Sequence, residues 1–533
     1  MIILTFGFLE VPLNNKMKDS VTRKDGYYHF NEGIKKNFIN INDEFKTISS
    51  SQNKILDDLL VFIEAKENKT LSEADKKNVF ESFNHFLMDT GSYDKYSNHI
   101  STFIIINEEK QGFKANLNTI KEGVILYQGI RYTADINELG KWNTDLTIYL
   151  NTEHLFNALG YNGILFQEIF NDFYKLVNEI NYGNKKPNQR KKIELKYFEE
   201  TKIEVDNYFL TAESIKKGLK LLDPSKPAMK KILDSTKSLS DIKALRVKFD
   251  IELKKIGIDF QEFNHNLSNK MSYNVEDINS IEALRKESID RRKHFNENDC
   301  HQYFNIFTKI NIFRNGESTK PFERIGHLFI TENGFAKYLA HNNNVKFGEN
   351  DVPFAKDIDY ITTKFWFKLK KGFSEKQNLP KSFDVATKAK IILSSHLNNS
   401  ISQGYYHLQE EVKNGKLSKD EALQRSYEFR IRPNKPEEIN VNNVDSSFNF
   451  LNNETYFEDL HREKERKEML LAETQTKNEE LQRELDRRNE IEKERERREI
   501  EIAKVKELEL NKQDYDKRKE ENIITTLSNL KVV

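Results

Sequence analysis

Between Trp142 and Lys371 the sequence repeatedly changes from a short apolar strand pattern to an amphipathic helical pattern. A helical pattern follows each of three strand-type runs: LTIYL at 146–150, IELKYF at 193–198 and HLFI at 327–330. Such alternation is the signature of a parallel sheet that carries helices on its faces. We therefore predict an α/β domain over residues 141–375, with a helical insertion at about residues 210–290.

Polar residues follow the first and third of these strands, where each strand is predicted to end. The first leads into Asn151-Thr152-Glu153, and the third leads into Thr331-Glu332-Asn333. Ligands of open α/β sheets bind beyond the carboxyl ends of the strands, so these polar steps mark a candidate site. Helices add further carboxylates, and the full candidate set is Asn151, Glu200, Glu204, Asp299 and Asn333. Oxygen donors of this kind suit Mg²⁺ or Mn²⁺.

The order of these features resembles that of the PIN-like ribonuclease superfamily. A strand ending in an Asp-Thr-Asn-like step, a helix acid, an acid that opens a later helix and a last polar strand end follow one another over residues 145–371, under half of the chain. The resemblance implies a PIN-like α/β/α sandwich and a metal-dependent endoribonuclease acting on single-stranded RNA. Large proteins of this kind are often linked to toxin or phage-defence roles.

The resemblance also implies residue roles. The catalytic positions would be Asn151, Glu200, Glu204, Asp299 and Asn333. Four of these would hold Mg²⁺ or Mn²⁺, with Glu200 as a rival for the part of Glu204. The family has acids where this chain has Asn151 and Asn333, and an amide oxygen brings no negative charge, so metal affinity is expected to be lower. Glu204 and Asp299 would then supply most of the charge.

Two hypotheses of other classes remain open. The Asn substitutions favour a degenerate, non-catalytic PIN-like module that binds nucleic acid or protein and assembles through a coiled C-terminal helix. A third hypothesis is a structural or sensor protein built around that helix. Any one of the acids, taken alone, is also explained as a helix cap, because a carboxylate at a helix N-terminus is stabilising.

Contacts to nucleic acid are predicted from a short basic loop. Formal charge is balanced, with 85 basic and 85 acidic residues, so binding requires a local basic patch. The loop NKKPNQRKK at residues 184–192 supplies one through Lys185, Lys186 and Arg190, although a solvated connector has the same composition. Hydroxyls of Thr152 and Thr331 would orient water or a phosphate oxygen.

Composition excludes several other classes of protein. The single cysteine, Cys300, argues against a disulfide framework or a cysteine-rich zinc site. A Gly-rich phosphate loop and a nucleophile elbow are both missing from the sequence, which disfavours an ATPase and a serine hydrolase. Because no apolar run is long enough to cross a bilayer and no leader is recognisable, we expect a cytoplasmic protein without membrane contact.

The flanking regions are predicted in less detail. Residues 1–140 are expected to form an α+β unit of unknown role; its strands are predicted at 2–11, 101–106 and 122–132, and its helices at 31–45, 54–66 and 72–88. Residues 376–450 are expected to be helical, with a linker at 432–442.

The C-terminal region is predicted to be one long helix. Residues 456–522 contain neither Pro nor Gly, are densely charged and have only sparse apolar positions. Glu–Lys and Glu–Arg pairs at helical spacing stabilise such a helix, whereas a coiled coil needs a sustained apolar seam. We expect an extended charged helix or a weak coiled coil, through which the protein would form a homo-oligomer.

Overall fold

The computed structural model describes most of the chain. The described residues are 21–24, 27–30, 50, 52–88, 95–131, 142–183, 191–263, 271–290, 295–343, 345, 348, 351–369, 371, 379–418, 422, 427, 429, 432–433, 435–452 and 456–529. They fall into two compact units, residues 1–452 and residues 453–533.

The strands form a hairpin and a larger sheet. Their bounds are β1 Val21–Lys24, β2 Tyr27–Phe30, β3 Leu146–Leu150, β4 Ile193–Tyr197, β5 Ile258–Phe260, β6 His327–Ile330 and β7 Ala355–Lys356. The hairpin pairs β1 with β2, and the sheet is parallel throughout, in the order β5-β4-β3-β6-β7. The first strand of the sheet along the chain therefore lies at its centre. Between β3 and β6 the strand order reverses, which makes this place the topological switch point where such sheets bind ligands.

Helices make up most of the described chain. Their bounds are α1 52–67, α2 Glu73–Met88, α3 Ser97–Asn107, α4 Phe113–Arg131, α5 Thr152–Ala158, α6 Ile164–Tyr182, α7 Glu199–Lys216, α8 Pro227–Asp234, α9 Leu239–Lys255, α10 Ile278–Asp290, α11 Glu297–Phe313, α12 Gly334–His341, α13 Ile358–Lys368, α14 Val385–Lys413, α15 Val444–Asn452 and α16 Tyr456–Asn529. Short 3₁₀ turns lie at Met271–Tyr273, Phe322–Arg324, Lys381–Phe383 and Pro436–Glu438.

Apolar side chains cover both faces of the parallel sheet. Alternate residues of a strand point to opposite faces, so Ile148 and Tyr149 of β3 enter different cores. Ile148 packs in one core with Phe173 of α6, and Tyr149 packs in the other with Phe307 of α11. The predicted α/β class is thereby confirmed, as a mostly helical molecule around a small parallel sheet.

The N-terminal region differs from the prediction. The predicted helix at 54–66 is confirmed by α1, and the one at 72–88 by α2, where Ser72 and Asp75 exchange hydrogen bonds across the first turn. The strands predicted at 101–106 and 122–132 were wrong: the first run lies in α3, and the second runs along α4 as far as Arg131. The run at 101–106 is buried on nearly every side, so its sequence shows no helical periodicity of apolar and polar residues. Residues 2–11 and 31–45 lie outside the described residues.

The predicted helical insertion also contains a strand. Helices α8 and α9 are followed by β5, which pairs with β4 and forms one edge of the parallel sheet. With only three residues, this strand is too short to show a period-2 pattern in the sequence.

The predicted linker at 432–442 is partly a docked segment. Glu437 accepts a hydrogen bond of 2.7 Å from the backbone N–H of Ile164, the first residue of α6. The preceding Gly163 has a φ of +113°, and a Cβ at this position would collide with the Glu437 carboxylate. This carboxylate therefore satisfies a helix N-terminus that lies 273 residues away in sequence.

The second compact unit contains the predicted long helix. Helix α16 has 74 residues, and every side chain from residue 469 to residue 527 is exposed. Ion pairs one turn apart, such as Arg488 with Glu484, lie along it as expected. Within the described part of the chain, every helix is too short or too polar to span a membrane.

Candidate functional site

The candidate site lies at the carboxyl edge of the parallel sheet, where β3 and β6 end side by side. Asn151 follows β3 and donates from Nδ2 to the Thr331 Oγ1 that follows β6, over 3.0 Å. Thr331 Oγ1 in turn donates to Glu153 Oε1 over 2.7 Å, and the backbone N–H of Glu332 donates to the same oxygen over 2.7 Å. One hydrogen-bond network therefore bridges the topological switch point.

Two carboxylates from distant helices come to the same edge as this network. Glu204 of α7 accepts a hydrogen bond of 2.7 Å from the hydroxyl of Thr152. Burial raises the pKa of Glu204, and the negative charges of Glu153 and Asp299 add to the effect, while the Thr152 hydrogen bond and Lys226 oppose it. These carboxylates thus lie within electrostatic range of one another, with Asp299 contributed by the first turn of α11.

Tyr303 of α11 connects the members of the site. Its ring is buried, and burial together with the charges of Glu153, Glu204 and Asp299 raises the pKa of its hydroxyl. A side-chain hydrogen bond with Asn151 acts in the opposite direction. Carboxylates from three separate segments of the sequence therefore act electrostatically on the same hydroxyl.

Glu200 belongs to a different contact. Its Oε1 accepts from Lys309 Nζ over 2.5 Å, and both side chains are largely buried. Lys309 lies ten residues after Asp299 on α11, a rise of about 15 Å along the helix. Of the two helix acids that the sequence offered, Glu204 is the one beside Asp299, and Glu200 is one half of a buried ion pair.

The two asparagines have different local roles. Asn333 is the N-cap of α12, where its Oδ1 accepts from the backbone N–H of Ala336 over 3.0 Å. Asn151 stands at the N-cap of α5 but makes no side-chain cap hydrogen bond. The Asn151 amide is directed at Thr331 instead, so only Asn333 has the ordinary structural use of an asparagine at a helix start.

The predicted phosphate contacts are placed as follows. Thr152 and Thr331 are buried, and each hydroxyl donates to a carboxylate of the site. The loop with Lys185, Lys186 and Arg190 lies outside the described residues. The loop joins the end of α6 to the start of β4, and Asn181, one residue before the end of α6, exchanges hydrogen bonds with Ile193 at the amino edge of the sheet. The binding roles of all these residues stay predictions.

Several titratable residues at this edge were absent from the predicted set. His154 is fully buried, its ring nitrogens make no hydrogen bond with the described residues, and Nε2 lies 4.0 Å from Glu153 and 3.9 Å from Glu332. Asp357 and Asp359 follow β7. Burial raises the pKa of Asp359 to about 8, and the negative charges of Glu332 and Asp357 add to this effect. The same strand-end rule would have found Asp357, but a two-residue strand shows no pattern.

The oxygen donors fit a hard cation only in part. A desolvated Glu204 beside further carboxylates is a chemically suitable environment for Mg²⁺ or Mn²⁺. Within the described residues, however, no three side chains of His, Cys, Asp or Glu lie close enough to ligate one ion together. Mg²⁺ is usually bound by one or two carboxylates, with water and substrate phosphates as the other ligands, so a cage of protein groups is not required.

Comparisons with known proteins give no match. Neither a family model, nor a curated protein, nor a solved structure matches this chain. The function is therefore inferred from the residues and the geometry of the carboxyl edge.

Proposed function

We propose that this chain is a metal-dependent, PIN-like endonuclease that acts on single-stranded RNA. One observation carries the proposal: hydrogen bonds join Asn151 to Thr331 and Glu204 to Thr152 at the switch point of a parallel sheet, and Asp299 acts electrostatically on Glu204 there. More than fifty residues separate Asn151 from Glu204, and more than ninety separate Glu204 from Asp299. A favourable position in the first turn of α11 explains Asp299 taken alone, but it does not explain why Asn151, Glu204 and Asp299 come to the edge where α/β folds bind ligands.

Some residues of the site would bind the cation, and others would hold the carboxylates in position. Glu204 and Asp299 would hold the cation, because the carboxylate of Glu153, which lies at the switch point, is already engaged by Thr331 and the Glu332 backbone. Thr152 fixes the Glu204 carboxylate through its hydroxyl, and Thr331 together with the Glu332 backbone fixes Glu153. A bound divalent cation activates water and stabilises charge at a phosphate under attack.

The test is cleavage of single-stranded RNA in the presence of Mn²⁺. Asp299 is exposed, so Asp299→Ala should fold normally. We expect it to abolish cleavage, because it removes one of the two carboxylates proposed to hold the ion. Glu297→Ala is the matched control: this residue shares the first turn of α11 but pairs with Arg285, and it is expected to keep wild-type cleavage. Equal cleavage by Asp299→Ala and wild type would overturn the proposal.

A second candidate function has an observation in its favour. Glu153 and Thr331 are already engaged in internal hydrogen bonds, and the described residues bring no three metal-ligating groups together. These facts favour a non-catalytic nucleic-acid-binding module with the same fold. RNA binding by the wild type without cleavage at any Mn²⁺ concentration, combined with cleavage by Asn151→Asp, would select this candidate.

A further inference from the structure

Basic and aromatic side chains contact one another around β7, the outermost strand on one side of the parallel sheet. They are His341 at the end of α12, Lys356 of β7, and Tyr360 and Lys364 of α13, which we call the β7 cluster. Lys356 Nζ lies 2.8 Å from His341 Nε2 and 4.7 Å from the centre of the Tyr360 ring. Lys364, one turn after Tyr360, has its Nζ 5.7 Å from the centre of the same ring. Two ammonium groups are therefore assembled on one tyrosine.

The β7 cluster is joined to the candidate site by backbone hydrogen bonds. The carbonyl oxygen of Lys356 accepts from the backbone N–H of Thr331 over 3.0 Å. Glu332 Oε1 accepts from the backbone N–H of Ile358, the first residue of α13, over 3.1 Å. Because neighbouring strands lie about 4.8 Å apart, the cluster begins one strand spacing from Thr331, whose hydroxyl binds Glu153.

The hydrogen bonds of His341 fix the position of the Lys356 ammonium. His341 Nδ1 lies 2.8 Å from the backbone oxygen of Lys337, and Nδ1 carries a proton because a carbonyl oxygen only accepts. Nε2 accepts from Lys356, whose ammonium only donates, so the imidazole is neutral. This contact holds the ammonium at the exposed side of β7 and brings no negative charge to it.

The surroundings of Lys364 favour a negatively charged ligand. Burial lowers the pKa of Lys364; the negative charge of Glu323 opposes this effect, and the positive charges of Lys356 and Lys368 add to it. The face of the Tyr360 ring attracts both ammonium groups of the cluster, but the ring has no net charge. An anion close to both ammonium groups would therefore reduce their repulsion.

Acids that follow β6 and β7 contact a different lysine. Lys337 Nζ lies 3.5 Å from Glu332 and 3.8 Å from Asp357. The Asp357 carboxylate also caps α13, where its Oδ1 accepts from the backbone N–H of Tyr360 over 2.8 Å. These acids thus have a cation of their own beside the β7 cluster.

We propose that Lys356 and Lys364 bind backbone phosphates of the single-stranded RNA that the carboxyl edge would cleave. Tyr360 and His341 would hold the two lysines in position. Lysine binds phosphate as a compact point charge, and lysines beside one another follow the backbone of a single strand. The cation of the site would act at the phosphate under attack, and the β7 cluster would hold phosphates of nearby nucleotides. This inference rests on the proposed function, since it names how the substrate of that same site is held.

The experiment measures binding of a fluorescein-labelled single-stranded oligouridine by anisotropy, with EDTA present so that no metal-dependent cleavage occurs. Lys356→Gln/Lys364→Gln should bind more weakly, and its plot of log affinity against log salt should be less steep by about 1.4, or about 0.7 for each phosphate that no longer meets a lysine. Lys356→Gln alone should change the slope by about half as much. Lys356→Arg keeps the charge and should keep the wild-type slope.

Tyr360 and His341 are tested as positioning residues. Tyr360→Leu removes the ring that faces both ammonium groups and should weaken binding although both lysines are present. Tyr360→Phe keeps the ring and should bind as the wild type does. His341→Leu removes the acceptor of Lys356 and should also weaken binding. Wild-type affinity in both leucine variants would overturn the positioning roles.

A matched control lies on the other side of the sheet. Lys254 and Lys255 are exposed at the end of α9, two residues before β5, which is the outermost strand there. Lys254→Gln/Lys255→Gln removes the same number of positive charges and should keep the wild-type slope. Melting temperatures of all variants establish that each is folded.

The outcomes separate this inference from the proposed function. An unchanged slope in Lys356→Gln/Lys364→Gln, or an equal change in the control, would overturn the phosphate site, and so would no detectable binding by the wild type at low salt. A slope that depends on the β7 cluster, together with no cleavage in Mn²⁺, would support the phosphate site and reject the nuclease. Cleavage by the wild type with unaltered binding by the cluster variants would do the reverse.

Discussion

Thr331 has one hydroxyl proton, and the structure directs that proton to Glu153. Its oxygen can therefore only accept from other neighbours, and it accepts from Asn151 Nδ2 and from the backbone N–H of Asn333. A donor is needed at position 151, which asparagine provides and an ionised aspartate does not. Asn151 is thus matched to its surroundings in the absence of a cation.

This match makes a prediction for Asn151→Asp. The variant loses the hydrogen bond to Thr331 and sets a fourth negative charge beside Glu153, Glu204 and Asp299. We expect it to lower the free energy of unfolding by about 1–3 kcal/mol at neutral pH, measured by urea denaturation in EDTA. If the site binds metal, Mn²⁺ should restore the lost stability, since a carboxylate is the stronger ligand for a hard cation.

Asn333→Asp is the control for that experiment. Asn333 only accepts at the N-cap of α12, and an aspartate accepts equally well and is favoured by the helix dipole. Its free energy of unfolding should therefore equal or slightly exceed that of the wild type. Equal stability of both variants would show that the direction of the Asn151 hydrogen bond has no effect on the free energy of unfolding.

The raised pKa of Glu204 gives a prediction about pH. Burial makes the folded protein hold the Glu204 proton more tightly than the unfolded chain does. In the unfolded chain the pKa of Glu204 lies near the ordinary 4.5. The stabilising contribution of Glu204 is therefore complete below about pH 4.5 and is lost as the pH rises through the raised pKa of the folded state. The stability of the wild type relative to Glu204→Gln should fall over that window, as urea midpoints at a series of pH values would show. A relative stability that rises with pH would contradict the environment described for Glu204.

At the residue scale, sequence patterns placed the strand ends and helix starts of the candidate site but not the contacts of its side chains. Asn151 and Asp299 could be placed from apolar periodicity, because Asn151 directly follows a strand and Asp299 lies in the first turn of a helix. Glu204 could be placed on a helix, but the sequence did not distinguish it from Glu200. The partners were not predictable: capping by Asn333, pairing of Glu200 with Lys309 and the direction of the Asn151 amide depend on contacts between segments far apart in the chain.

At the scale of elements, the contact between Glu437 and the start of α6 tests the docked segment. Gly163→Ala places a Cβ where φ is +113° and where the Glu437 carboxylate already lies. We expect a loss of about 1–3 kcal/mol in the free energy of unfolding, from backbone strain and displacement of Glu437. Gly334→Ala is the control, because nothing lies near its Cβ position and its φ is ordinary. Similar stabilities in the two variants would show that the segment around Glu437 is not held at α6.

The terminal helix is predicted to contribute little to the stability of the remainder. On α16 every side chain between residues 469 and 527 is exposed, so the helix buries little apolar surface of its own. Deletion of residues 456–533 should move the melting temperature of the remaining chain by about 2 °C or less. A large drop, measured by differential scanning calorimetry, would show that the helix packs on the rest of the protein.

Elements were predictable where their periodicity was clear. Helix α16 was found because neither Pro nor Gly interrupts it, and β3, β4 and β6 were found because helical patterns follow them. Helix α3 was mistaken for a strand because nine of its eleven residues are buried, so no polar face marks its period. Strands β5 and β7 were missed because three and two residues are too few for any pattern.

At the scale of the whole molecule, sheet order brings the candidate site together. Because β3 lies between β4 and β6, the residues that follow β3 and β6 become neighbours, and α7 and α11 bring Glu204 and Asp299 to the same edge. The alternation of strands and helices predicted a parallel sheet, but not the order of its strands. That order follows from packing on two faces, which no single segment encodes.

Binding of a divalent cation at this carboxyl edge, through Glu204 and Asp299, is the property on which the proposed function depends. The most direct measurement is isothermal titration calorimetry of Mn²⁺ into the full-length wild type and into Glu204→Gln/Asp299→Asn. The control is Asp145→Asn/Glu194→Gln, which removes two carboxylates near the amino edge, where β3 and β4 begin. We expect binding by the wild type and the control and none by Glu204→Gln/Asp299→Asn; no binding by the wild type, or equal affinity in all three proteins, would contradict a cation site at this edge.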